Sequence, residues 1–335
     1  MIINSQKGCT IMKKLMALLL VLVVGFTFIG CSSPDVKTDK ELEKQQSKYS
    51  TYANQDVIVS AMDAKEIIEN EKNVVVIDIR KSPEYMIGHI EGAVNVWRPD
   101  YSADEDEYEF GGMRADKEKM ESFLGSIGVD KDTFILLYDG KGDYDAARLW
   151  WQLDMYGHEK VALIDGGIDG WKASGFDTTI SKPEVEAKEY KFEGEVDESK
   201  LATLEDVKAA IDDPNVVILD TRSIGEATGE DLKSGAYRKG RIPSGVWIEY
   251  SEAINTGEGE DKSFKTVEEL KKIYEEKGIT KDKTIIPYCQ SAVRSAHTTF
   301  VLTELLGYEN VKNYDGSWIE WSYHEDLPLE TGELK

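Results

Sequence analysis

Cysteine is nearly absent from this 335-residue chain, which holds only Cys9, Cys31 and Cys289. Three thiols are too few for a disulfide framework or a four-thiolate zinc site, so each needs its own explanation. Histidine is as scarce. His89, His158, His297 and His324 lie far apart and show no HExxH-type spacing, so no metal site is read from them. Positive charge is in deficit, with 40 Lys and Arg against 64 Asp and Glu and a net charge of -24. Such a surface repels a polyanion, and nucleic acid is not expected as a partner. The apolar run Leu15 to Ile29 has 15 residues, short of the roughly 20 that a bilayer-spanning helix needs. What is present suffices for a core: 41% of residues are hydrophobic and 31% charged. At about 150 residues per domain, two domains are expected.

Lys13 and Lys14 precede the apolar run, the layout of a signal peptide over residues 1–30. The run ends in Phe28-Ile29-Gly30-Cys31, followed by Ser32-Ser33. This is similar to the lipobox of bacterial lipoproteins, with Phe28 where Leu is commoner. The resemblance implies cleavage before Cys31, acylation of Cys31, and a membrane-anchored protein outside the cytoplasm. Met12 opens a compact signal sequence, MKKLMALLL, which would leave Cys9 out of the protein. An uncleaved N-terminal anchor is the alternative. Loss of Lys7, Lys13 and Lys14 takes the charge from -24 to -27, so the exported part should project from an anionic membrane. Residues 31–55 are polar and read as a tether, with folded structure expected from about Val57.

The remainder is duplicated. VVVIDIR (Val74 to Arg80) recurs as VVILDTR (Val216 to Arg222), and GVDKDTFILLYD (Gly128 to Asp139) as GITKDKTIIPYC (Gly278 to Cys289). The second offset, 150, also relates Gly157 to Gly307, Asp165 to Asp315 and Trp171 to Trp321. In the second copy the pattern predicts helix 204–211, strand 216–219, helix 267–277, strand 284–288, helix 295–306 and strand 310–313. Continuous apolar runs alternating with helical periodicity imply parallel strands covered on both faces. Each copy is therefore an open, mostly parallel α/β sheet with helices on both faces, its ligand at the carboxyl ends of the strands. The copies span residues 56–180 and 201–335, joined by the charged linker 181–200.

Cys289 follows the strand TIIPY and precedes QSAVRS and a helical segment. On such a turn, amide N–H groups and a helix N-terminus favour the thiolate and any sulfur anion carried on it, and Arg294 adds a cation. Here the chain resembles the rhodaneses, sulfurtransferases built from two like domains of which only the second bears the nucleophile. The resemblance runs from about Val57 to Leu329. It rests on DIRKSPEYMIGHIEGAVN (Asp78 to Asn95), GGIDGW (Gly166 to Trp171), CQSAVR and YDGSWIEW (Tyr314 to Trp321). It implies that Cys289 becomes a persulfide, cradled by the backbone of Gln290, Ser291, Ala292, Val293 and Arg294. It also implies that no cofactor is needed, that the partners are a small sulfur donor and a cyanide or thiol acceptor, and that the protein is monomeric. Asp139 matches Cys289 and cannot accept sulfane sulfur, so the first domain should be silent. Thiosulfate or a related compound is the expected donor; the alternatives are a 3-mercaptopyruvate sulfurtransferase, or a binding module that kept the fold and lost turnover.

The loop matches neither CRKGVT of the vertebrate thiosulfate enzymes nor CGSGVT of the mercaptopyruvate enzymes. Both subtypes tend to carry an Arg where this chain has Glu226, which weighs against mercaptopyruvate. Arg222, Arg238 and Arg241 are the candidate substrate cations, with loop-holding roles as the plainer reading. Arg241 falls where the first copy has His89. Phosphatases on this fold use C-x5-R, whereas Cys289 to Arg294 is one residue shorter, tighter than a phosphate needs. Trp150, Trp151, Trp318 and Trp321 are expected between the domains, His297 as a cap or surface residue, and His158 and His324 in turns. The acidic stretch Ala103 to Glu109 lacks EF-hand order and reads as a solvated loop.

Overall fold

The structure is a computed structural model, described here for residues 47–257 and 259–334. The expected signal peptide, Cys31 and most of the expected tether lie outside the described residues. In the first half, β1 (Ile58–Val59), α1 (Ala61–Asn70), β2 (Val74–Asp78), α2 (Ser82–Met86) and β3 (Val94–Asn95) come first. They are followed by α3 (Lys117–Ser126), β4 (Phe134–Tyr138), α4 (Tyr144–Met155), β5 (Val161–Ile164) and α5 (Gly167–Ala173). The second half repeats the series: β6 (Leu201–Ala202), α6 (Leu204–Ala210), β7 (Val216–Asp220), α7 (Ile224–Thr228) and β8 (Val246–Trp247). It ends with α8 (Val267–Glu275), β9 (Thr284–Tyr288), α9 (Val293–Phe300), β10 (Asn313–Tyr314) and α10 (Ser317–Tyr323).

The first sheet runs β1-β5-β4-β2-β3, every neighbouring pair parallel. The second has the same order: β8-β7-β9 joins the β6-β10 pair through a parallel bridge between Ile285 and Val311. Strands such as FILLY and TIIPY are buried along nearly their whole length because helices cover both faces. Helix starts are set locally, Ser60 capping α1, Asp116 capping α3, and Thr203 and Thr266 forming capping boxes on α6 and α8.

One core cluster runs through both halves, and α4 packs on α9 with Trp150 edge-on to Phe300, ring centroids 4.8 Å apart. Two aspartates at equivalent turns reach across the seam. Asp165 accepts the amide of Phe264 at 2.8 Å, and Asp315 accepts that of Arg114 at 3.1 Å. Arg148 adds a buried ion pair to Asp315 at 2.6 Å.

Several expectations change. The tether ends earlier than expected, because Lys48 pairs with Asp165 at 2.6 Å and donates to the carbonyl of Phe264, while the Tyr52 hydroxyl reaches the carbonyl of Lys265. Ala53 and Asn54 bond to the backbone of Leu305 and Glu304. Residues 48–54 thus strap the two halves together. The linker is likewise docked: Tyr190 and Phe192 are buried, and the Tyr190 hydroxyl meets the ring of His158. Trp318 and Trp321 pack in the second half's own outer core with Ile218, Ile286 and Tyr288, not between the domains. His297 is neither cap nor surface. It is fully buried on the seam, stacked on Phe264 at 4.9 Å and edge-on to Tyr250 at 5.4 Å.

Burial pulls the His297 imidazole down to about 3, so the folded protein holds it neutral. An unfolded chain takes up that proton from about pH 6.5 downward. Stability therefore falls as pH drops from there towards 3, by up to about 1.4 kcal/mol per pH unit for this group. Chemical denaturation at stepped pH should show a steeper acid loss in the native protein than in His297→Phe; equal slopes would refute the assignment.

Candidate active site

Cys289 directly follows β9 and lies at the carboxyl edge of the second sheet, 1% exposed. Ala292 turns the chain with φ 54°, in the left-handed region, so that α9 starts at Val293 with its first amides facing the thiol. From the far side α10 closes the loop, the amides of Trp318 and Ile319 donating to the carbonyls of Cys289 and Gln290 at 3.0 and 3.1 Å. The Gln290 side chain donates to the carbonyl of Ser234 at 3.2 Å. The first half supplies the roof: a Cβ on Gly112 would stand 2.7 Å from that of Ser291, so only glycine lets this loop come so close.

Burial by itself pushes the Cys289 thiol up. The Arg294 guanidinium and the amides of Ser295 and Ser291 outweigh it and hold the thiol below its ordinary value. Arg294 does not point freely into the mouth, because it grips Glu226 with two bonds of 2.7 and 2.9 Å. Burial opposes the Glu226 carboxylate, yet Arg294 and Ser223 keep it below its usual range. Glu249, half-buried near the same cation, is raised by burial.

The three candidate substrate cations have other occupations. Arg222 pairs with Asp220 at 2.6 Å, donates to the carbonyl of Gly240 and lies 4.6 Å above the Trp318 ring. Arg80, Asp78 and Tyr138 repeat this arrangement in the first half. Arg238 binds the carbonyls of Trp321, Ser322, His324 and Leu327, closing the end of α10. Arg241 holds the C-terminal segment through Glu330, Gly332 and Glu333. Arg241 and His89 do take equivalent places, each bridging an antiparallel segment, Glu330 and Thr179 respectively. The expectation that Arg238 and Arg241 face substrate therefore gives way to carbonyl capping of buried chain ends. In the acidic stretch Asp104 pairs with Lys119, and Glu109 accepts the Tyr323 hydroxyl.

The equivalent loop of the first half shows the same cradle with another occupant. Asp139 accepts amides from Lys141, Asp143, Asp145 and Ala146 at 2.6, 2.9, 2.7 and 3.4 Å. Its carboxylate fills the position that a sulfur anion would need. Where Arg294 stands in the second half, the first helix carries Asp145, paired with Arg98 at 2.7 Å. Ser295, whose amide faces the thiol, and Ser317, whose hydroxyl accepts the amides of Cys289 and Ala292, lie outside the six-residue loop CQSAVR; the sequence signal for Ser317 is its contrast with Gly167 in the duplicated turn.

The Rhodanese-like domain family matches residues 60–174 and 203–324. The chain belongs to the rhodanese family. It is 37% identical over 286 residues to "Putative thiosulfate sulfurtransferase" of Saccharopolyspora erythraea, covering 83% of this chain and 97% of that one. It is 36% identical over 293 residues to "Sulfur carrier protein TtuD" of Thermus thermophilus, covering 84% and 99%. A solved anaerobic ergothioneine biosynthesis enzyme from Chlorobium limicola superposes with a TM-score of 0.74 at 22% identity, over 84% of this chain and 72% of that one, and shares the fold. This rhodanese is a sulfurtransferase with two domains in tandem.

The cradle makes a measurable demand. Alkylation of Cys289 by iodoacetamide should reach half its limiting rate below the ordinary thiol value of about 8.5. Arg294→Met should move that midpoint upward by about one unit or more. An unchanged midpoint would remove Arg294 from the account.

Proposed function

We propose that this sulfurtransferase moves sulfane sulfur from thiosulfate or a related donor to cyanide or a thiol through a persulfide on Cys289. The observation that carries the reading is the amide cradle. It is filled by a carboxylate at Asp139 in the silent half and by a thiol held below its ordinary value at Cys289 in the other.

In the first step the Cys289 thiolate attacks the outer sulfur of the donor. A Cys–S–S bond forms, the donor's S–S bond breaks, and its electron pair leaves with sulfite. In the second, the acceptor attacks the outer sulfur and the thiolate returns as leaving group. Each state keeps one negative charge on sulfur at the loop, where the amides of Ser291 and Ser295 stabilise it. No proton need be relayed, and the chemistry runs on the protein's own groups. The Glu226 carboxylate takes both Nη1 and Nη2 of Arg294, so this guanidinium is not open to clamp the carboxylate of a donor such as mercaptopyruvate. The sulfur-carrier name of one relative supports a protein thiol among the acceptors.

The N-terminal pattern supports a lipid anchor on Cys31 outside the cytoplasm, with the strap from Lys48 as the point where the chain joins the folded body. Among the described residues no helix is long and apolar enough to cross a membrane.

Intact mass after thiosulfate treatment should rise by one sulfur, about 32 Da, and cyanide should remove it. Cys289→Ser should take no sulfur and show no turnover, because a hydroxyl does not ionise near neutrality. Asp139→Ala should keep turnover within about twofold while losing stability, since four amides lose their acceptor. Sulfur transfer surviving in the serine variant would end this reading.

A further inference from the structure

We propose that Ser317 is a positioning residue of the sulfur site: its hydroxyl holds the amides of Cys289 and Ala292, so that those of Ser291 and Ser295 stay aimed at the sulfur. The inference rests on Cys289 carrying a sulfur anion and adds a residue to that machinery.

The two halves solve one problem with different acceptors. In the silent loop the amide of the left-handed residue Asp143 donates to Asp139 at 2.9 Å, as do the amide two residues after Asp139 and those of the first helical turn. An aspartate has two oxygens with several lone pairs and can satisfy them all. Cysteine offers one sulfur, a weaker and larger acceptor, so the corresponding set of amides outnumbers it. In the catalytic loop the amide of the left-handed residue Ala292 instead donates to the Ser317 hydroxyl at 3.0 Å, and the amide of Cys289 donates to the same oxygen at 3.2 Å. The hydroxyl proton is spent on the carbonyl of Tyr314 at 2.7 Å, which leaves the oxygen's lone pairs to the loop. Ser317 is fully buried, so water does not compete.

The backbone at this position gives a second, independent indication. Ser317 has φ 51°, in the left-handed region that a residue with a Cβ rarely adopts. Its counterpart in the silent half, Gly167, has φ 54°, which glycine adopts freely. A Cβ on Gly167 would run into the backbone of Asp139, and the Asp143 carboxylate lies 3.1 Å from the same place. The catalytic half thus keeps a strained serine where glycine fits, and the oxygen is what the strain secures.

The test uses Ser317→Gly, whose backbone suits this turn, with Ser317→Ala as the variant that keeps the Cβ. Three readouts are taken on the whole protein: the pH midpoint of Cys289 alkylation, the kcat for thiosulfate to cyanide transfer, and cooperative unfolding. Both variants should unfold cooperatively. Both should shift the alkylation midpoint upward by half a unit or more and lose on the order of tenfold to a hundredfold in kcat. A purely packing role would lower stability and leave the midpoint in place. Native midpoint and kcat in folded Ser317→Gly would overturn the proposal. Should the native protein form no persulfide with any donor, the sulfur-transfer reading fails instead, and the alkylation midpoint still judges Ser317.

Discussion

Backbone amides that converge at the start of a buried helix must be given an acceptor, and this demand organises both halves of the molecule. Left empty, such a ring of donors costs about 1–3 kcal/mol for each unsatisfied group. The first half meets the demand permanently with the Asp139 carboxylate. The second divides it, giving the Ser317 oxygen to the amides of Cys289 and Ala292 and leaving the rest for sulfur. A carboxylate is a good permanent occupant because its charge stays where it is. A thiolate is a good working one because the charge can ride outward onto a second sulfur and back while the donors stay still. The same loop geometry therefore holds a carboxylate in one half and a thiol in the other, and the difference lies in the residue after the strand end.

That division depends on the halves being held in register. Asp165 and Asp315 each take an amide from the opposite half, and each needs a cation for its second oxygen. For Asp315 the cation is Arg148 on α4. The matching position on α9, four residues after its start, is His297, which burial holds neutral, and the N-terminal strap brings Lys48 to Asp165 in its place. Removing either partner of such a buried pair is more damaging than the pair is worth, since the remaining charge has no water to turn to. Asp315 stands two residues before Ser317, so Arg148 ties the silent half to the turn that supports the catalytic loop. Gly112 lies on Ser291 from the same side. The first half is thus part of the wall of the candidate site.

The sequence was legible where one chemical signal repeats locally. VVVID, VVILD and TIIPY were readable as buried strands from their apolar content, and the thiol's place on a strand-to-helix turn followed from what flanks it. The strap was not legible because Lys48, Tyr49 and Tyr52 are isolated in a polar stretch, and the groups that bury them lie more than a hundred residues away. Arg238 and Arg241 misled for a related reason. A cation cluster in an acidic chain suggests an anionic ligand, but a guanidinium satisfies carbonyl groups equally well, and the end of α10 and the C-terminal segment present them. His297 was unreadable because its burial is produced by Phe264 and Tyr250 from a distant loop.

The duplication also shows how the catalytic loop came to differ in length without disturbing its frame. Helix α4 begins five residues after Asp139, at Tyr144, whereas α9 begins four residues after Cys289, at Val293. Downstream, Gly157 and Gly307 have returned to the common offset of 150. The missing residue is restored within the helix, where α9 passes into a π-turn over Val301–Leu305 that α4 lacks. A π-turn is one extra residue accommodated by i→i+5 bonding. Shortening the loop draws the helix N-terminus onto a single atom, while widening the later turn keeps Phe300 against Trp150 and the seam intact. A loop closed around one sulfur, on a helix whose far end is still in register with its silent twin, is a geometry that a uniform helix of the same sequence length could not provide.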